Sequence, residues 1–239
     1  MPSVRYIFLI VSGLILVCPA APVRADLNKH KNKPGIVYWH GDPLQNKIAL
    51  TFDDGPNEPY TSQILKVLHE NGVKATFFLV GKNVETFPDS VKAEVAAGHV
   101  IGNHTYTHPD LIFRTKSRIV GQLEKTEAAI YKAVGLSTYL FRPPFGADDP
   151  FTFHESRRLG YIAVKWSVSS RDWERPGVDK IVKNVVIRVR NGSIILMHDG
   201  MGYRRGDRSQ TVKALPIIIR ELKKRGFEFV TVPELLNLN

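Results

Sequence analysis

Cysteine is almost absent from this chain of 239 residues. The single cysteine, Cys18, lies in an N-terminal segment that has the character of a removable leader. Without that segment the protein has no disulfide, no thiol nucleophile and no thiolate ligand for a metal. Cys18 also lacks a small residue directly before it, which argues against a lipid anchor. A chain without cysteine suits an oxidising exterior.

Long apolar runs are scarce as well. The pronounced one covers Tyr6–Val17, follows Arg5 and precedes small residues around Ala25. This pattern predicts a signal peptide over residues 1–25, cut after Ala25, and hence a secreted or cell-wall-associated protein. The run is short for a membrane span, which needs about 20 residues. An uncleaved N-terminal membrane anchor is the alternative.

Repeats, low-complexity tracts and internal linkers are absent too. The hydrophobic content of 43% and the charged content of 23% are ordinary for a globular protein. We therefore expect one domain over residues 40–239. A polar and basic arm, residues 26–39, precedes it and ends in a candidate short strand over Ile36–Trp39.

Acidic residues are outnumbered, with 23 Asp and Glu against 33 Lys and Arg, and the net charge is +10. Loss of residues 1–25 removes two arginines and no acid, which leaves +8. Such a charge favours an anionic bacterial wall or membrane surface, although it can also serve solubility alone. The chain lacks a recognition helix, a zinc finger or an aromatic nucleic-acid signature, so we expect no nucleic-acid partner. We also expect a monomer.

From Lys47 onward, short β-branched or aromatic runs alternate with longer segments of helical period. Seven such strand–helix units imply an α/β fold with a parallel sheet, at this length most simply a (β/α) barrel. The predicted strands are Lys47–Phe52, Ala75–Val80, His99–Gly102, Tyr139–Phe141, Tyr161–Val168, Ser193–Met197 and Phe227–Val232. The predicted helices cover 60–68, 83–97, 116–134, 177–190 and 209–225.

Polar residues that stand out fall directly after the predicted strands. The C-terminal ends of the strands in a parallel barrel share one rim, and sites are built there. Surface residues with unrelated roles would not be expected to follow five of the seven predicted strands in this way. The residues are Asp53, Asp54, His104, His108, Arg142, Asp172, Trp173, His198 and Asp199.

Two histidines and one aspartate on this rim form a candidate metal site. His104 and His108 are four residues apart, so on one helical turn their imidazoles would lie side by side. Asp54 would complete a set with open positions that suits Zn²⁺, with Co²⁺, Ni²⁺ or Fe²⁺ as alternatives. The competing interpretation is a pair of histidines satisfied by backbone carbonyls.

Asp53 is the candidate general base, because a metal with open positions lowers the pKa of bound water toward roughly 7. Arg142 is the candidate to hold this base beside a cation. Pro143 and Pro144 stiffen the following loop, so Phe145 can present its backbone N–H to a developing oxyanion. Pro143 and Phe145 are therefore candidate substrate-binding residues. A strand-to-helix turn at Asp53 and a plain turn with a surface arginine at Arg142 are the alternatives.

His198 is the candidate general acid for a leaving amine. A nearby carboxylate would hold its tautomer and raise its pKa. Asp172 is the better candidate for that carboxylate, because Asp199 adjoins His198 and so tends to point elsewhere. Trp173 offers a flat apolar face to a sugar ring, and a partly buried core tryptophan is the competing interpretation.

Five motifs, in this order, resemble those of the polysaccharide deacetylase family, which carries the NodB homology domain and is carbohydrate esterase family four. The resemblance covers residues 40–236, and the first two motifs together are highly specific. The motifs are Thr-Phe-Asp-Asp-Gly-Pro (51–56), His-Thr-Tyr-Thr-His (104–108), Arg-Pro-Pro-Phe-Gly (142–146), Ser-Ser-Arg-Asp-Trp (169–173) and Leu-Met-His-Asp (196–199).

The resemblance implies a distorted (β/α) barrel, a divalent metal that is usually zinc, and hydrolysis of N-acetyl groups on amino sugars. Some members remove O-acetyl groups instead. Position by position it implies a base at Asp53, metal ligands at Asp54, His104 and His108, a base-tuning residue at Arg142, and an acid at His198 oriented by Asp172.

Two positions depart from the family pattern. Ser169 stands where the fourth motif often has Asp, which leaves the role of that position open. Phe145 stands where the third motif often has Tyr, a harmless change if only the backbone N–H acts. Asp54 is kept, whereas members that act on muramic acid often lose it.

We therefore expect a deacetylase of N-acetylglucosamine residues in peptidoglycan or chitin-like oligosaccharides. An O-acetyl xylan-type esterase and a low-activity wall-binding protein are the alternatives.

Overall fold

The structure, a computed structural model, describes residues 37–238. The predicted signal peptide and residues 26–36 of the predicted arm lie outside the described residues. The strands are β1 (Val37–Tyr38), β2 (Lys47–Asp53), β3 (Thr76–Leu79), β4 (Val100–Asn103), β5 (Leu140–Phe141), β6 (Ile162–Val164), β7 (Val168–Ser169), β8 (Ile194–His198) and β9 (Glu228–Phe229). The helices are α1 (Tyr60–Glu70), α2 (Gly81–Thr86), α3 (Pro88–Ala96), α4 (Lys116–Val134), α5 (Pro150–Arg158), α6 (Val178–Val186), α7 (Ser209–Lys224) and α8 (Val232–Leu235).

The strands form one curled parallel sheet. Its order is β1-β6-β5-β4-β3-β2-β8-β7, and β9 pairs with β2. β6 and β7 lie near opposite ends of this order, yet only residues 165–167 separate them in the chain. Because an extended chain advances at most about 3.6 Å per residue, the sheet must curl until its ends approach each other. The distorted (β/α) barrel expected from the resemblance is confirmed, and β1 extends the sheet ahead of residue 40.

β2 lies between β3 and β8 in the sheet, and it also pairs with β9. Ile48, Ala49 and Leu50 are all fully buried, as expected for a strand that is covered on both faces. Ile48 and Leu50 belong to the larger apolar cluster that contains residues of α1, α6 and α7, and Ala49 belongs to a second cluster. The register places Asp53 beside His198 of β8. The sheet thus brings two predicted site residues to the same rim.

One predicted strand is divided in the structure. The run Tyr161–Val168 forms β6 and β7 with a break between them. The guanidinium of Arg142 donates hydrogen bonds to the carbonyl oxygens of Val164 and Lys165, at 3.1 and 2.9 Å. These oxygens are therefore not available for hydrogen bonds between strands.

One predicted helix is divided as well. The segment 83–97 forms α2 and α3, with the boundary at Pro88. Proline has no N–H to donate and its ring clashes with the carbonyl four residues earlier, so it begins a new helix here. By contrast, α4 has the predicted bounds, capped by Thr115 and ended by Gly135 at φ 68°. No helix within residues 37–238 is long and apolar enough to cross a membrane.

Candidate functional site

The two adjacent carboxylates lie where β2 ends. Asp53 is the last residue of the strand, and Asp54 has a φ of 76°, a left-handed conformation that is uncommon for a residue other than glycine. The chain turns sharply there, so both carboxylates line one cleft instead of pointing to opposite faces of the sheet. Gly55 allows this turn to approach β8, since a Cβ at that position would lie 2.0 Å from Oδ2 of Asp199.

The two histidines reach the cleft from a loop, so the prediction of a shared helical turn is wrong. Thr105 and His108 have φ values of 70° and 52°, and residues 104–108 form no helix. Oε1 of Gln122 accepts the backbone N–H groups of residues 106 and 107, at 2.8 and 2.9 Å, in place of helical hydrogen bonds. Pro109 in the sequence already argued against a helix at His108, because a proline disfavours helical backbone at the residue before it. The imidazole centroids nevertheless lie 5.0 Å apart.

Asp54, His104 and His108 converge on one point, with ligand atoms within 4.8 Å of one another. Oδ1 of Asp54 lies 3.4 Å from Nε2 of His104 and 3.0 Å from Nε2 of His108. Burial works against ionisation of Asp54, but the two imidazoles hold its pKa well below its usual range.

This donor set fits a divalent metal ion. Nδ1 of His104 donates to the carbonyl oxygen of Arg142 at 2.7 Å, which leaves Nε2, on the side of Asp54, as the ring nitrogen that could bind a metal ion. Oδ1 of Asp54 is buried and has no hydrogen-bond partner among the described residues. A divalent cation held between the two imidazoles and this carboxylate oxygen would give each of these atoms a partner. The three side chains could therefore hold a metal.

Arg142 is buried completely and holds Asp53. One guanidinium nitrogen donates to Oδ1 of Asp53 and to Oγ1 of Thr51, both at 2.7 Å, and the others donate to the two carbonyls at the end of β6. Burial lowers the pKa of Arg142, and the Asp53 carboxylate opposes that effect. Oδ2 of Asp53 remains on the side of the metal ligands, 3.8 Å from Nε2 of His104.

The loop after Arg142 brings one aromatic ring to the cleft. Phe145 is 72% exposed, has a φ of 58°, and its ring centroid lies 4.6 Å from that of His108. Gly146 is required behind it, because a Cβ there would lie 2.6 Å from the Trp166 ring. Pro143 is buried and does not line the cleft, so the predicted direct contact with substrate is not supported.

His198 is held by Asp172 in the way the sequence predicts. Nδ1 of His198 donates to Oδ1 of Asp172 at 2.8 Å, and Oδ2 accepts the backbone N–H of His198 and the hydroxyl of Thr211, both at 2.8 Å. Burial would lower the pKa of His198, but the Asp172 carboxylate raises it above its usual value. Burial likewise opposes the ionisation of Asp172, and His198 brings its pKa below the usual value. Trp173 is 43% exposed, 5.3 Å from the His198 ring.

Asp199 points away from His198, as expected. Its Oδ2 accepts the hydroxyl of Thr61 at 2.6 Å, and its Oδ1 has no hydrogen-bond partner among the described residues. Burial raises the pKa of Asp199 to about 7.

Seven of the predicted residues line one cleft of about 630 Å³: Asp53, Asp54, His104, His108, Phe145, Trp173 and His198. Arg142 and Asp172 lie behind its wall. Several residues that line the cleft were not among the predicted site residues. Leu196 could have been found, because it lies two residues before His198 and therefore on the same face of the strand. The missed residues are Gly146, Trp166, Leu196, Met201, Gly202, Tyr203, Arg204 and Arg208.

Comparison with known proteins agrees with this geometry. The sequence model of the polysaccharide deacetylase family matches residues 40–164. A peptidoglycan-N-acetylglucosamine deacetylase of Bacillus cereus is 41% identical over 212 residues, which cover 88% of this chain and 97% of that protein. A chitooligosaccharide deacetylase of Rhizobium leguminosarum bv. trifolii is 42% identical over 194 residues, covering 78% and 90%.

A solved structure is similar as well. It is a peptidoglycan N-acetylglucosamine deacetylase in complex with 4-naphthalen-1-yl-N-oxidanyl-benzamide, and it matches with a TM-score of 0.80 at 38% identity. The match covers 84% of this chain and 92% of that one. Sequence and structure therefore agree, and the chain belongs to the polysaccharide deacetylase family.

Proposed function

We propose that this protein hydrolyses the N-acetyl groups of N-acetylglucosamine residues in peptidoglycan or chitin-like oligosaccharides. One observation carries the proposal: a candidate cation site, a carboxylate held by Arg142 and an imidazole held by Asp172 open into the same cleft. The names of the two related deacetylases support the choice of substrate.

Asp54, His104 and His108 would hold the metal, for which Zn²⁺ is our proposal and Co²⁺ or Ni²⁺ the alternatives. A divalent ion there would polarise the acetyl carbonyl and lower the pKa of a water molecule.

Asp53 acts as the general base. Arg142 engages Oδ1, so Oδ2 is left to accept the proton of the attacking water. The fixed position matters because a base that rotated away would lose its alignment with the water. The backbone N–H of Phe145, on the rigid loop, is our candidate donor to the developing oxyanion.

His198 acts as the general acid. Its Nδ1 is engaged by Asp172, so Nε2 can give a proton to the nitrogen as the C–N bond breaks. Because Asp172 raises the pKa of His198, a larger fraction of the ring carries that proton at neutral pH. Trp173, beside His198, offers its exposed face to the sugar ring.

The test is an acetate-release assay with the purified protein, with and without a chelator. Its substrates are N-acetylglucosamine oligomers, soluble peptidoglycan strands and acetylated xylan. We expect metal-dependent release from the N-acetylated glycans, lost in Asp53→Asn and kept in the control His154→Asn, which changes an exposed histidine.

Each alternative has its own outcome in this assay. Faster release from acetylated xylan would favour an O-acetyl esterase. Binding to cell walls without release of acetate from any glycan would favour a wall-binding protein.

We also propose that the protein is exported and works as a monomer near the cell wall. Its basic charge supports this location. Cell fractionation and light scattering test the two statements. A cytoplasmic pool of the full-length chain, or a stable dimer, would contradict them.

A further inference from the structure

The loop between β8 and α7, residues 199–208, forms one side of the cleft and supplies no residue to the proposed hydrolysis. Met201, Tyr203 and Arg204 line the same cleft as the metal ligands. A carbon atom added at Gly202 would lie 3.4 Å from the His108 ring, so the loop lies directly against the candidate metal site.

Buried amides hold this loop in place. Nδ2 of Asn83 donates to the carbonyl oxygens of Gly202 and Asp54, both at 2.7 Å. Nδ2 of Asn57 donates to the carbonyl oxygen of Gly206 at 2.9 Å. The side chains that the loop presents therefore have a defined position relative to the cleft.

Three cations surround the exposed end of this loop. Nζ of Lys82 lies 5.3 Å from the centroid of the Tyr203 ring, and Cζ of Arg204 lies 5.9 Å from the same centroid. Cζ of Arg205 lies 5.8 Å from the Phe87 ring. We call Lys82, Arg204 and Arg205 the basic rim; all three are exposed.

The basic rim is not neutralised within the part of the chain that the structure describes. None of its three cations forms an ion pair with a carboxylate there. Two other exposed cations, Arg171 and Arg175, by contrast pair with Glu174 and Asp207 at 2.5 and 2.9 Å. Cations grouped without a protein partner favour an anionic ligand.

We propose that the basic rim binds carboxylate groups carried by the glycan, so that the protein prefers an anionic amino-sugar polymer over a neutral one. Peptidoglycan has this chemistry, since its muramic acid residues carry a lactyl group and peptides with carboxylates. This inference rests on the proposed function and narrows its substrate class.

The position of the rim favours a glycan over a membrane. Arg204 and Tyr203 line the cleft itself, so a sugar chain in the cleft would pass beside them. The half-exposed Tyr203 offers an aromatic face to a sugar, while the cations around it attract the anion. A flat lipid surface would not need to enter the cleft.

The test compares two substrates that share the scissile group and differ in charge. Soluble peptidoglycan strands with free carboxylates and neutral N-acetylglucosamine oligomers are given to the wild type and to Lys82→Gln/Arg204→Gln/Arg205→Gln. An exposed ion pair changes affinity by roughly 1.5- to 5-fold, so the three changes together should lower kcat/KM on peptidoglycan about tenfold, mainly through KM. The loss on the neutral oligomers should be clearly smaller than the loss on peptidoglycan, because those oligomers carry no carboxylate. Raising the salt concentration should reduce the difference between the proteins.

The matched control is Lys66→Gln/Lys183→Gln/Lys224→Gln. It removes the same charge from exposed positions toward the C-terminal ends of α1, α6 and α7, away from the rim. We expect its kcat/KM on both substrates to equal that of the wild type. Its thermal unfolding, and that of the rim variant, show whether each protein is folded.

A binding titration separates this inference from the proposed function. Calorimetry measures how tightly the wild type and the basic-rim variant bind peptidoglycan strands, and it does so even if no acetate is released from any substrate. Equal losses on both substrates, no loss on either, or an equal loss in the control variant would each overturn the inference. Tight binding of the wild type to anionic phospholipid vesicles but not to peptidoglycan strands would overturn it in favour of a membrane.

Discussion

Replacement of Arg142 by methionine should strongly destabilise the fold. The guanidinium is completely buried and donates to Asp53, to Thr51 and to the carbonyl oxygens of Val164 and Lys165. Methionine keeps an unbranched, flexible side chain but is shorter and donates no hydrogen bond. The substitution therefore leaves a buried carboxylate without its counter-charge and three other acceptors without this donor.

The size of the effect follows from the buried charge. Removing one partner of a buried ion pair costs about 3–5 kcal/mol. For a domain of this size, each kcal/mol lowers Tm by about 2–4 °C, so Tm should fall by about 6–20 °C. Urea and thermal unfolding should be measured with a chelator, because a metal bound only to the folded state would add its own stabilisation.

A double-mutant cycle isolates the ion pair. Asp53→Asn removes the buried negative charge, so in the Arg142→Met background it should cost less than in the wild type, by about 0.5–3 kcal/mol. Arg171→Met is the matched control, since Arg171 is exposed and, within the part of the chain that the structure describes, its guanidinium pairs with Glu174 alone; it should cost about 0.5 kcal/mol or less. A loss below 1 kcal/mol for Arg142→Met, or a cycle with no coupling, would show that this buried ion pair does not stabilise the fold.

Three further predictions concern the same cleft. Asp172→Asn should lower kcat about ten- to hundredfold, since a charge-assisted hydrogen bond is lost. It should also move the alkaline limb of the kcat profile to lower pH, because His198 loses the carboxylate that raises its pKa; an unmoved limb would contradict that role. His108→Ala should weaken zinc uptake in equilibrium dialysis by about tenfold or more, whereas His154→Ala, at an exposed position, should not; equal affinities would exclude the proposed ligand set. Asp199 has a pKa of about 7 in the folded protein against an ordinary value of 3.8, so folding takes up a proton at this carboxylate. The free energy of unfolding, measured without metal, should therefore fall as the pH rises from 5 to 7. Asp199→Asn should flatten that fall, by up to about 1.4 kcal/mol per pH unit, and an unchanged pH dependence would disprove it.

The position of the site and the residue types that form it could be predicted from the sequence alone. Buried strands appear as short apolar runs, and parallel strands share one rim at their C-terminal ends. Asp53, Asp54, Arg142 and His198 could therefore be assigned to one place from their positions after such runs. The choice of Asp172 over Asp199 also followed from local geometry, because adjacent strand residues point to opposite faces.

The contacts that hold those residues in place could not be predicted from the sequence, because they join distant parts of the chain. Arg142 and Asp53 are 89 residues apart, and the guanidinium divides the strand between Tyr161 and Val168 through contacts more than 20 residues away in the chain. Long-range hydrogen bonds of this kind leave no periodic pattern in a sequence. The loop that carries His104 and His108 depends in the same way on the side chain of Gln122 in α4. The basic rim likewise exists only because α2 and the loop after β8 meet, which is a property of the fold and not of either segment alone.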